Sequence, residues 1–190
     1  MSKAERIREE HENEPHLKLD LGCGKNKKFG FIGVDSIEFE GVDIVTDLRK
    51  KWPWNDGEVK EIHASHVIEH FDGIERVHIF NEMYRVLGDR CKATIITPHW
   101  ASCRAYGDFT HKWPPVSEFL FYYLSKEWRA VNAPHNDIEF NPAGYNCDFE
   151  VGWGYSLRED VVVRNAEYQQ FAMSNYKEVC MDTLATLTRK

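Results

Sequence analysis

Apolar and polar residues alternate along 17–22, LKLDLG, and the pattern stops at the glycine-bearing turn GCGKNKKFG. Alternation over this length predicts a half-buried β-strand. Three more short runs follow, FIGVD over 31–35, VDIVTD over 42–47 and VKEIHASHV over 59–67. The period then changes. Ile74, Val77, Phe80, Tyr84 and Leu87 recur at steps of three and four, which predicts an amphipathic helix with Asp72 as N-cap and Gly88 as C-cap. An apolar run stopped by proline, KATIITP over 92–98, predicts a fifth strand. Strands in succession with a helix between them point to an α/β fold with a parallel sheet. Further on, 117–129 reads as helix, 147–157 as strand, 158–176 as helix and 179–190 as a closing strand, the valine triplet at 161–163 also fitting a strand.

The early connections are short. Eight residues separate Gly22 from Phe31, whereas a parallel crossover normally takes about a dozen or more, usually with a helix. Eight extended residues reach at most roughly 26–29 Å, enough to return across one short strand but with room for a single helical turn at most. The 36–41 connection has no room for a helix either. The sheet is therefore expected to be thinly covered on one face near these strands. The aromatic segment, the N-terminal arm or a partner chain would close it, which makes a homodimer an expected partner state.

Residues 1–16 are highly charged and carry no apolar run, so they read as an arm, neither signal peptide nor membrane span. Residues 17–190 then form a single domain, a size that suits one core. The net charge of −7 disfavours a nucleic-acid partner, since such modules usually present a basic face. Five scattered cysteines without a C-x-x-C pair argue against a disulfide framework or a cysteine zinc site and suit a cytoplasmic protein. The aromatic surplus collects between His99 and Asn146.

Gly22-Cys23-Gly24 follows the first strand, where glycines permit a sharp turn and close approach of a ligand. A dinucleotide fingerprint would need a third glycine where Lys27 stands, and no P-loop occurs. Asp35 ends the second strand and Asp47 the third. Ligands of open parallel sheets sit beyond the carboxyl ends of the strands, so Asp35 is placed to accept the hydroxyls of a ribose and Asp47 the exocyclic amine of a base. Taken singly, either aspartate would more simply cap a turn.

With these residues in order, LKLDLGCGKNKKFGFIGVD, DIVTDL, ASHVIEHF, EMYRVL and ATIITP, the chain resembles the class I S-adenosylmethionine-dependent methyltransferases, in particular the small type 11 methyltransferase-domain proteins. The resemblance covers residues 17–98. It implies a Rossmann-like, mostly parallel seven-stranded sheet, with abbreviated first crossovers and an aromatic-rich acceptor-side insertion over 99–146 as departures. It implies S-adenosyl-L-methionine as cofactor and S-adenosyl-L-homocysteine as product. Carried over residue by residue, Asp20, Gly22 and Gly24 shape the pocket for the methionine end. Asp35 holds the ribose, Ser36 and Ile37 flank the adenine, Asp47 and Leu48 read its edge, and Ser65 and His66 lie beside the sulfonium. Cys23 fits the turn, Lys25, Lys27 and Lys28 either attract the methionine carboxylate or, for at least two of them, belong to a solvated loop, and Glu82 with Arg85 forms a structural ion pair. The expected acceptor is a small molecule or sugar hydroxyl or amine.

In-line methyl transfer depends on positioning, and a base helps when the acceptor is a hydroxyl. The catalytic candidates are His99, His111, Asp108 and His70, with His99 and His111 ranked ahead of His70. Trp100, Tyr106 and Trp113 are expected to line the acceptor pocket, and Phe119, Phe121, Tyr122 and Trp128 to serve either that pocket or a helix core. Two alternatives remain at this point. One is a cofactor-binding module without catalysis. The other is a zinc hydrolase built on His66-Val67-Ile68-Glu69-His70, a literal H-x-x-E-H. That signature needs its residues on a helix, and here it straddles a strand end, so no metal ligand set is assigned.

Overall fold

The structure, a computed structural model, describes residues 17–190; the arm expected over 1–16 lies outside the described residues. The strands are β1 (Leu17–Leu21), β2 (Ile32–Asp35), β3 (Ile44–Val45), β4 (Val59–Ser65), β5 (Leu87–Pro98), β6 (Phe149–Leu157) and β7 (Cys180–Arg189). They form one seven-stranded sheet in the order β3-β2-β1-β4-β5-β7-β6. Strands β1 to β5 pair in parallel, and β7 runs antiparallel to both β5 and β6. The order reverses beside β1, between β2 and β4, so the carboxyl ends of those strands open a crevice there. As expected, no helix occupies either connection before β3.

Six α-helices accompany the sheet among the described residues: α1 (Gly73–Val86), α2 (Arg104–Gly107), α3 (Glu118–Tyr122), α4 (Lys126–Asn132), α5 (Glu159–Val162) and α6 (Ala166–Asn175). None is long and apolar enough to cross a membrane. Asp72 caps α1 as expected: its carboxylate accepts the Ile74 and Glu75 N–H groups, and Glu75 returns a bond to the Asp72 N–H. The buried face of α1 is Ile79, Phe80, Met83 and Val86, joined by Arg76 and Glu82, while Ile74 stands in solvent. Two buried polar residues on the core face disguised it in the sequence. The expected Val77, Phe80, Tyr84 and Leu87 do join or flank the core, and Ile74 is the one that does not.

Other boundaries also shift. Gly88 does not cap α1; Leu87 does, donating to the Met83 carbonyl, and Gly88 is already part of β5. Pairing of β5 with β4 jumps from Val59↔Leu87 to Glu61↔Lys92, so residues around Arg90 (φ 61°) bulge out. The expected 117–129 helix is two, because Ser125 takes an extended conformation and caps α4 through Trp128 N–H. The 158–176 helix is likewise two, with Asn165 capping α6 through Tyr168 N–H. Strand β4 ends at Ser65, because His66 adopts φ 56°.

One core runs through the sheet. It joins Leu19, Leu21, Ile62, Ala64 and Ile95 to the α1 face, and it includes Trp52 and Trp54 from the connection after β3. The aromatic segment packs against α1 and β6 rather than over the first strands: Tyr122 meets Trp153 edge-on at 4.9 Å, and Asn81 bonds the backbone of Gly144 and Asn146.

Candidate cofactor pocket

The turn after β1 is built from its ends. Asp20, buried, accepts the Lys28 N–H at 2.7 Å through one oxygen and meets His63 Nδ1 at 2.7 Å through the other. This folds the 22–31 connection back over the strand ends. Gly22 (φ 62°) has no space for a side chain: a Cβ would lie 2.5 Å from Val67 Cγ2. Gly24 (φ 51°) donates its N–H to Asp35 Oδ2 at 2.9 Å. Asp35 Oδ1 accepts the Ile37 N–H at 3.0 Å. Two backbone donors thus fix the Asp35 carboxylate and leave it spare lone pairs.

A cleft of about 270 Å³ opens here. Of the fourteen candidates, Gly22, Asp35, Ser36, Asp47, Leu48, His66 and His70 border it, and so do Arg49, Val67 and Phe71, which sequence reasoning missed. Asp20, Gly24, Ile37 and Ser65 are absent from its lining; the first two shape the loop from behind. Asp47 is engaged by Arg49, whose Nε and Nη2 reach its two oxygens at 2.8 and 3.1 Å. Those bonds, with the Arg49 N–H, hold the Asp47 carboxyl below the usual range. Aspartate two positions before an arginine was the available signal for this pair.

His66 closes the β4 side. Its left-handed backbone is uncommon for a residue with a side chain, and it turns the ring so that Nδ1 sits 3.2 Å from Glu69 Oε1. The Glu69 bond outweighs burial and raises the His66 pKa above its ordinary value. Glu69 itself is buried, its other oxygen accepting from Thr97 Oγ1 at 3.2 Å. Cys23 is a buried thiol pushed up to about 11 by burial and the neighbouring Asp20.

The catalytic candidates separate. His99, ranked with His111 ahead of His70, is buried with both nitrogens taken: Nε2 faces Glu118 Oε1 at 2.9 Å and Nδ1 accepts the Ala101 N–H at 3.1 Å. No lone pair remains for a substrate proton. Burial pushes the Glu118 carboxyl up, but bonds from His99 and from its own backbone outweigh this and hold it below the ordinary range. Tyr155, beside it, is pushed up to about 12 by burial and the Glu118 charge. Asp108 is exposed and bonds the Thr110 backbone and hydroxyl. His70 borders the cleft, and His111 meets it edge-on with ring centroids 4.9 Å apart. The aromatics expected at the acceptor pocket, Trp100, Tyr106 and Trp113, are 45%, 56% and 78% exposed and stand outside the lining of this cofactor cleft. Phe121 is core, Tyr122 stacks on Trp128, and Phe119 is exposed.

The H-x-x-E-H string does not form the two-histidine helical face of a zinc hydrolase. His66 lies in a left-handed turn and bonds Glu69, and Ile68–His70 is a single 3₁₀ turn.

Among solved structures the fold is shared widely. An S-adenosylmethionine-dependent methyltransferase from Archaeoglobus fulgidus matches with a TM-score of 0.63 at 17% identity, over 99% of this chain and 95% of that one. A chain of the complex between the Haloferax volcanii Trm112 methyltransferase activator and a putative methyltransferase matches at 0.53 and 14% identity, over 93% and 82%. Geranyl diphosphate C-methyltransferase from Streptomyces coelicolor, in complex with Mg²⁺, geranyl diphosphate and S-adenosyl-L-homocysteine, matches at 0.50 and 15%, over 98% and 81%. No protein-family model and no curated protein matches the chain. At these identities the likeness is one of fold, and the fold is that of the class I methyltransferases, a Rossmann-like α/β sheet that is mostly parallel.

Proposed function

We propose that the protein is an S-adenosyl-L-methionine-dependent methyltransferase. The observation that carries this reading is the Asp35 carboxylate, fixed by the Gly24 and Ile37 N–H groups beside a cleft that Gly22 and Asp47 also border. A pinned acceptor with free lone pairs at the end of the strand next to a glycine turn suits the two hydroxyls of a ribose. In this reading Ser36 flanks the adenine, Leu48 and Asp47 meet its edge, and His66 lies toward the methionine part, while Ile37 serves through the N–H that fixes Asp35. The 99–146 segment serves the acceptor side.

The reaction is an in-line displacement. An acceptor oxygen or nitrogen bonds to the methyl carbon, the carbon–sulfur bond breaks, its electron pair goes to sulfur, and S-adenosyl-L-homocysteine leaves. Holding the partners in line can supply up to roughly 7–11 kcal/mol. The acceptor is read as a small molecule or sugar hydroxyl or amine, in keeping with the acidic chain. Of the four base candidates, His70 is the one that borders the cleft.

Calorimetry with S-adenosyl-L-methionine and with S-adenosyl-L-homocysteine tests the reading. Saturable binding of both at one site is expected. Absence of heat and of thermal protection with either ligand overturns it.

A further inference from the structure

We propose that Glu69, His70 and His111 form a site for one divalent first-row transition ion, placed at the edge of the cofactor cleft to take an oxygen of the methyl acceptor. The ion site stands on its own geometry; its use for the acceptor rests on the methyltransferase reading.

One donor atom of each residue lies within 4.8 Å of the other two. Donors around an ion with bonds of about 2.0–2.2 Å sit roughly 3–4 Å apart, so the set completes by closing roughly 1 Å. The hydrogen bonds behind the rings set their tautomers. His111 Nδ1 lies 3.2 Å from the Ala105 carbonyl oxygen, which only accepts. The proton is therefore on Nδ1, and the lone pair on Nε2. His70 Nδ1 lies 2.9 Å from Thr110 Oγ1, which donates its own proton to Asp108 Oδ1 at 2.6 Å. Oγ1 must then accept from Nδ1, and the His70 lone pair is on Nε2 as well. Neither Nε2 makes a hydrogen bond among the described residues. Histidines that bind metals are oriented in this way, with the second nitrogen donating to a carbonyl, water or acidic partner behind.

Glu69 supplies the charge. It is buried, and its bonds to His66 and Thr97 fix the carboxylate while leaving lone pairs. The scaffold is stiff. Lys112 N–H donates to the Glu69 carbonyl at 2.8 Å. The buried Arg76 guanidinium donates to the carbonyls of Ile68, Lys112 and Pro114 at 3.1, 3.2 and 2.6 Å, clamping the two ligand-bearing segments together. Two imidazoles with one carboxylate select zinc, iron or cobalt over magnesium and calcium, which prefer oxygen shells, and three protein ligands leave open positions. An acceptor hydroxyl bound there loses its proton to water more readily. Its oxygen then bonds the methyl carbon as the carbon–sulfur pair passes to sulfur. The H-x-x-E-H string thus contributes its last two residues, with a distant histidine in place of His66.

Tag-free, chelator-treated full-length protein is titrated with Zn²⁺ by calorimetry and with Co²⁺ by visible absorption, alongside S-adenosyl-L-homocysteine. One equivalent of either ion is expected to bind. His111→Gln and His70→Gln should each weaken it by at least about tenfold, because loss of even an outer partner costs about 10–100-fold. His135→Gln, at an exposed turn, should leave it unchanged. His111→Gln should retain the wild-type affinity for S-adenosyl-L-homocysteine, which also shows that the variant is folded. Wild-type protein that binds neither ion, or ion binding unaltered by both substitutions, overturns the site. Zinc binding without nucleoside binding leaves the site standing and removes the cofactor reading; nucleoside binding without zinc does the reverse.

Discussion

Asp35 and Asp137 are both held by hydrogen bonds, but they face different surroundings. Asp35 receives two backbone N–H groups and turns the rest of its carboxylate to a cleft. Asp137 receives Arg129 Nε and Nη2 at 3.0 and 2.9 Å, both buried, and the Glu139 N–H at its outer side. Arg129 spends its remaining donors on the carbonyls of Tyr123 and Cys147. The strand-end region keeps acceptor capacity in reserve, and the aromatic segment consumes it. His99 follows the second pattern, which is why a histidine just beyond β5 is fixed in the fold and is unsuited to proton transfer. A polar side chain near a strand end thus becomes a candidate for ligand contact through its unspent lone pairs, more than through its position.

Four substitutions probe this contrast. The largest effect is expected from Asp137→Ala, which leaves the Arg129 guanidinium buried and unpaired. It should cost on the order of 3–5 kcal/mol, read as a Tm lower by roughly 10 °C, with nucleoside affinity unchanged in the folded fraction. A matching loss of affinity would show that the two regions are coupled. Next comes Asp35→Ala, expected to weaken S-adenosyl-L-homocysteine binding by about 100-fold, or about 2.7 kcal/mol, with a smaller effect on Tm. A change under about threefold by calorimetry would mean that its lone pairs are not used. Gly22→Ala forces a side chain into a left-handed position against Val67 and should cost about 1–3 kcal/mol in chemical denaturation, narrowing the cleft as well.

The smallest effect is electrostatic. Glu82 bonds Arg85 and the Trp52 N–H, and although burial pushes its carboxyl up, these bonds hold it below its ordinary value near 4.5. Its folded pKa is depressed, so its contribution is present above pH 4.5 and is lost as the pH falls through the folded value. Glu82→Gln should flatten that acid limb of a stability–pH curve while leaving nucleoside binding at neutral pH unaffected.

Much of this was legible in the sequence. Short runs of strand length, alternating in 17–22 and apolar in 92–98, mark the first five strands. Asp35 and Asp47 stand out by their order after those strands, and Ser36, Leu48 and His66 through the family resemblance; all five border the cleft. Other features depend on tertiary contacts and carry no local pattern. The buried Arg76 and Glu82 interrupt the apolar stripe of α1, so the expected stripe of Val77, Phe80, Tyr84 and Leu87 holds but is incomplete, missing Ile79, Met83 and Val86 and including the exposed Ile74. Ser125 and Asn165 each look like an ordinary polar position inside a helical pattern until the chain breaks there. His70 and His111 are separated by a loop whose course is set by Arg76, and no spacing rule links them. His99 was misjudged because its quenching partner, Glu118, lies on another element.

The helix-free connection between β1 and β2 also bears on selectivity among adenosine compounds. Without a helix starting at that turn, no aligned peptide dipoles are directed at the ligand, and Asp35 gives its side of the rim a negative bias while Arg49 balances Asp47. Such a rim repels polyanions and welcomes a net-cationic nucleoside. ATP and pyridine dinucleotides should therefore compete poorly for this cleft, so charge exclusion would spare the protein from the abundant phosphorylated adenosines around it.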